Sequence, residues 1–137
     1  MKFGTQILPE GVRFRLWAPL CDRMVLYIEE LNRELPMTAL PRGWFELNVP
    51  EARAGMHYWY ILPDGSRIAD PVSRFLPKDV DGPSRIVDPL AFEWTDRGWR
   101  GHPWPETVIY EIHVGTLTQE GTFRAAIDRL DHLVELG

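Results

Sequence analysis

The chain has 137 residues, 45% hydrophobic and 26% charged, which leaves ample apolar surface to offset chain entropy and excludes a disordered polypeptide. Its formal net charge of −5, from 15 basic and 20 acidic side chains with no Lys/Arg run, excludes a nucleic-acid backbone as partner. No apolar run approaches the roughly 20 residues needed to span a bilayer, so no membrane partner is expected.

The opening Met1-Lys2-Phe3-Gly4-Thr5 lacks the apolar stretch and cleavage site of a signal peptide. Cys21 is the sole cysteine, so no intrachain disulfide forms, and the expected compartment is the cytoplasm. Residues 1–69 then alternate short β-prone runs with turns. In Val12-Arg13-Phe14-Arg15-Leu16-Trp17 the apolar Val12, Phe14 and Leu16 share one face, the period of a half-buried strand. Further strands are expected at Met24–Glu30, Trp44–Val49 and Met56–Leu62, with Pro63-Asp64-Gly65-Ser66 as a turn before Arg67-Ile68. Short strands with regular turns predict an antiparallel β-sandwich, making the chain mainly β.

Residues 70–106 are rich in Pro, Gly and Asp. Prolines remove backbone donors and set φ, so this stretch is expected to be an ordered, extended strap. Phe75, Phe92, Trp94, Trp99 and Trp104 are expected to be its buried anchors.

Residues 107–137 change character. Val108–Val114 reads as a strand and Gly115–Gly121 as a loop, with Thr122 as helix N-cap. Phe123, Ala126, Ile127, Leu130, Leu133 and Val134 follow at helical spacing, and Gly137 is the glycine expected just past the helix end. A strand and a helix are half of a βαβ unit, whose next parallel strand is due where the chain stops. The sequence is therefore expected to be a fragment. Its helix stripe would dock onto the sandwich, self-associate with a second copy, or fray.

Several stretches resemble the α-amylase family of glycoside hydrolases. Val12–Pro19, Gly43-Trp44-Phe45-Glu46 and Tyr58–Gly65 are similar to the early-set, immunoglobulin-like module that precedes the barrel in its branching, debranching and trehalose-releasing members. Asp70–Pro77, Val80–Ser84, Val108–Thr116 and Glu120–Phe123 are most similar to the trehalose-releasing members, although Asp81 and Leu117 stand where histidine and phenylalanine would match.

The resemblance implies that residues 107–137 are the first strand and helix of a truncated (β/α)8 barrel. It also implies a parent enzyme that hydrolyses the α-1,4 bond next to the trehalose unit of maltooligosyl trehalose. Such retaining chemistry needs two carboxyl groups about 5–5.5 Å apart. In this family they sit on later barrel strands, so no catalytic residue is expected in this segment. The implied partners are an α-glucan or maltooligosyl trehalose and the parent's own barrel. Alternatives are the corresponding module of a glycogen-branching or debranching enzyme, or a glucan-binding module.

Four residues are candidates for sugar contact. Trp44 and Trp59 offer flat apolar faces for stacking, or else cover an interface between sandwich and barrel. Glu111 and His113 share one face of their expected strand, either near the sugar subsites or in a polar network that braces a barrel. His57, His102, His113 and His132 lack metal-ligand spacing, and no G-x-G-x-x-G pattern follows a strand, so neither metal nor cofactor is expected.

Overall fold

The computed structural model describes residues 3–136; the expected glycine cap, Gly137, lies outside them. The strands are β1 (Gly4–Leu8), β2 (Gly11–Trp17), β3 (Val25–Ile28), β4 (Arg33–Pro36), β5 (Thr38–Leu40), β6 (Trp44–Val49), β7 (His57–Ile61), β8 (Arg67–Ile68) and β9 (Ser84–Arg85). They form two antiparallel sheets, one in the order β1-β2-β6-β5 and the other β4-β3-β7-β8, with β9 also on β7.

The alternation that predicts β2 is also what buries it. Val12 and Phe14 are fully buried and Leu16 nearly so, while Trp17, out of phase, is exposed. In register, Val12 faces Val49 and Leu16 faces Phe45, so β2 and β6 turn one continuous apolar face inward. The second sheet answers with Leu26 and Ile28 from β3 and Tyr58 and Tyr60 from β7. Phe14 meets Tyr58 edge-to-face across the two sheets at 5.1 Å. Each such side chain, fully buried, stabilises the fold by about 1.5–3 kcal/mol.

The sandwich does not end near residue 69. β8 pairs with Tyr60 and Ile61, and β9 pairs with His57 and Tyr58, both antiparallel to β7. Residues 69–83 thus form an excursion that leaves a sheet edge and returns to it. Buried Ile86 follows, and the compact unit extends to Trp94. The expected aromatic anchors are not buried: Phe75, Phe92, Trp94, Trp99 and Trp104 are all exposed. What fastens the excursion is polar, centred on Asp70.

Residues 95–136 belong to a second unit. A 3₁₀ turn (Trp104–Glu106) precedes α1 (Val114–Leu117), α2 (Phe123–Ile127) and α3 (Leu130–Leu136). The strand expected at Val108–Val114 is absent: residues 107–113 pair with nothing among the described residues, and Val114 opens α1. A ladder needs a neighbouring strand, and β-propensity cannot replace one. The Thr122 cap does form, its hydroxyl accepting from the Ala125 N–H at 3.2 Å. The helix it starts breaks at Asp128 and Arg129. Phe123, Ile127, Leu130 and Val134 are exposed, so packing does not hold one long helix together, and short helices are marginal on propensity alone.

Candidate functional site

The four candidate sugar-contact residues do not converge. Trp44 lies on β6 and Trp59 on β7, each half-buried and out of phase with its neighbours' buried side chains. They therefore occupy the outer faces of opposite sheets. Glu111 and His113 are exposed in the second unit. No hydrogen bond joins them; the Thr116 hydroxyl instead donates to the His113 carbonyl at 3.2 Å.

Trp44 is already occupied by its own chain. Phe3 packs on it with ring centroids 5.0 Å apart, and the Arg15 guanidinium lies 4.6 Å from the Trp44 centroid. Arg15 also pairs with Glu46 at 3.6 Å. The result is a cross-strand stack that stiffens the outer face of its sheet.

Trp59 sits differently. Its Nε1–H donates to Glu29 at 2.9 Å, which sets the ring's orientation, and the ring forms one wall of a cleft of about 500 Å³. Across the cleft stands the excursion between β8 and β9, contributing Leu76, Val80 and Asp81, while Arg67 and Ile68 line its sheet side.

The neck of this excursion is a buried polar cluster that pattern reading did not reveal. Asp70 is 3% exposed and Ser84 fully buried. The Tyr58 hydroxyl donates to Asp70 Oδ2 at 2.7 Å, the Val72 N–H donates to Oδ1 at 2.9 Å, and the Asp70 N–H donates to the Ser84 hydroxyl at 2.8 Å. Arg74 donates to the Thr5 carbonyl at 3.0 Å, tying the excursion to β1. The one signal available in sequence was Asp70-Pro71, an aspartate placed where its carboxylate can accept the N–H two residues on.

Burial pushes the Asp70 carboxyl above its ordinary value of 3.8, with the Val72 and Tyr58 hydrogen bonds and the Arg74 charge opposing part of the rise. Burial, reinforced by the Asp70 charge, also pushes the Tyr58 hydroxyl up, so it stays protonated as a donor. Because the folded chain holds the Asp70 proton more tightly than the unfolded one, this contribution is fully present below the unfolded value and is lost as pH rises through the folded one. Urea unfolding should accordingly show the wild type gaining stability relative to Asp70→Asn as pH falls from about 6 to about 4. A difference that stays flat with pH would contradict this.

Among the described residues no group of three or more His, Cys, Asp or Glu side chains could hold a metal ion, and no helix is long and apolar enough to cross a membrane. The candidate surface is thus a cleft between Trp59 and the excursion, with Arg67, Asp70 and Asp81 as its basic and acidic side chains.

A scan against protein-family models finds no match. The malto-oligosyltrehalose trehalohydrolase of Saccharolobus solfataricus is 42% identical over 138 residues, covering 100% of this chain and 24% of the relative. The 1,4-alpha-glucan branching enzyme GlgB 1 of Xanthomonas oryzae pv. oryzae is 34% identical over 142 residues, covering 90% of this chain and 19% of the relative. Among solved structures, a Salmonella typhimurium protein assigned as an alpha amylase superposes with a TM-score of 0.86 at 43% identity, over 98% of this chain and 23% of that one. The chain spans about a quarter of the length of the trehalohydrolases it matches. Over its whole length the chain is similar to about a quarter of a malto-oligosyltrehalose trehalohydrolase, and it has the early-set β-sandwich of α-amylase-type enzymes.

Proposed function

We propose that this chain is the non-catalytic N-terminal module of an enzyme of trehalose biosynthesis. That enzyme hydrolyses the α-1,4 bond next to the trehalose unit of maltooligosyl trehalose and releases trehalose in the cytoplasm. The observation that carries the reading is the 42% identity to a trehalohydrolase over the whole chain, against 34% over a smaller share for a branching enzyme. On this reading the catalytic carboxylates belong to the three quarters of the relatives' length that the chain does not span.

Residues 107–137 are then the first βα unit of the barrel, and the barrel is the partner that pairs residues 108–113 and covers the exposed apolar side chains of α2 and α3. Glu111 and His113 would acquire a role toward the sugar only in that setting. The competing reading, a branching or debranching enzyme, predicts different products. An enzyme carrying this chain is expected to release trehalose from maltotriosyl trehalose, and to add no α-1,6 branches to amylose. New branches without trehalose would reverse the choice.

A further inference from the structure

Another cavity, of about 480 Å³, opens beside the return of the excursion and shares no lining residue with the cleft at Trp59. Backbone hydrogen bonds fix its floor. The Ile86 N–H donates to the Met56 carbonyl at 2.8 Å, the Ile86 carbonyl accepts the Gly55 N–H at 2.8 Å, and the Ile86 side chain is buried. One wall is equally constrained: the Phe75 carbonyl accepts the Arg85 N–H at 3.0 Å and the Ser73 hydroxyl at 3.0 Å. Arg74, also in the lining, is anchored on the Thr5 carbonyl at 3.0 Å. Little ordering cost therefore remains for a ligand to meet.

The charges select the ligand. Arg74 and Arg85 set two cations in this lining against one anion, Asp88, on a chain whose net charge is −5. The Asp88 carboxylate is partly engaged, its Oδ1 accepting the Leu90 N–H at 2.9 Å. The Arg85 guanidinium, by contrast, has no hydrogen-bond or carboxylate partner among the described residues and lies 5.8 Å from the Phe75 centroid. Gly55 leaves Nη2 open on its side, where a Cβ would stand 3.7 Å away. A guanidinium fork matches the oxygens of a phosphate, and a phosphate monoester brings roughly −1.5 to −2 of charge with three acceptors. The cavity is larger than a bare anion needs, and Phe75 and Ile86 supply apolar surface for an attached ring.

We propose that this cavity binds a small phosphate monoester, with its phosphate on Arg85 and Arg74 and its organic body against Phe75 and Ile86. The lining alone supports the assignment, whatever bond a parent enzyme cuts. Chemical-shift titration of the 137-residue chain with phenyl phosphate tests it. Saturable shifts of the Gly55 and Ile86 amides are expected, with a Kd of about 1 mM or tighter. Arg85→Gln, a change at an exposed side chain, should raise that Kd about tenfold, whereas Arg67→Gln, at the Trp59 cleft, should not. Asp88→Asn keeps an acceptor for the Leu90 N–H but removes the opposing charge, so it should tighten binding. The site is overturned by the absence of saturable shifts at Gly55 and Ile86, or by Arg67→Gln weakening binding as much as Arg85→Gln. Equally tight binding of phenylacetate would overturn the phosphate assignment.

Discussion

Replacing Asp70 by alanine is expected to destabilise the sandwich by roughly 2–4 kcal/mol, chiefly by leaving the Tyr58 hydroxyl without its acceptor. Tyr58 is 1% exposed, so water cannot take over the bond. The loss of the Val72 contact frees the start of the excursion, and residues 71–83 should become a preferred site of proteolytic nicking. Removing both partners costs less than stranding one, so adding Tyr58→Phe to Asp70→Ala should recover part of the lost stability. Urea unfolding of the single and double variants measures this. An Asp70→Ala chain within about 0.5 kcal/mol of wild type would show that the cluster is not what fastens the neck.

Gly11→Ala is expected to have an effect of similar size for a different reason. Gly11 has φ of 130°, a conformation that side chains rarely adopt, where β2 begins against the end of β6. A Cβ there would lie 2.4 Å from the Val49 carbonyl oxygen and 2.5 Å from the Pro50 Cα. Both are backbone atoms, so relief requires the two strands to separate. Strain and overpacking together should cost roughly 3 kcal/mol. For a unit of this size that lowers the melting temperature by on the order of 15 °C. A circular-dichroism melt within about 3 °C of wild type would refute the close approach.

The sandwich was legible where burial alternates. β2, β6 and β7 carry a period of two because one face of each meets the core. β4 and β5 are not legible, since they lie at sheet edges with no fully buried residue and so carry no pattern. β9 is legible only in three dimensions, because two residues gain their pairing from the return of a loop to β7. Residues 108–113 fail in the opposite sense. Their β-propensity is plain, but a strand is a property of two segments, and the second is missing among the described residues.

The candidate site was less legible for a related reason. Alternation places Trp44 and Trp59 on the outer face of their own strands, but says nothing about which sheet each strand joins. Opposite sheets put them on opposite sides of the sandwich. Counting tryptophans likewise suggested burial in the strap, whereas the fastening is done by Asp70, Ser84 and Tyr58, a polar contact between residues far apart in sequence.

The proposed division of labour between this chain and the rest of a trehalose-releasing enzyme has one direct test. The 137-residue chain and the enzyme that carries it are incubated side by side with maltotriosyl trehalose, and trehalose is followed by chromatography. Trehalose from the enzyme and none from the chain alone is the predicted result. Trehalose from the chain alone, or none from the enzyme, would contradict it.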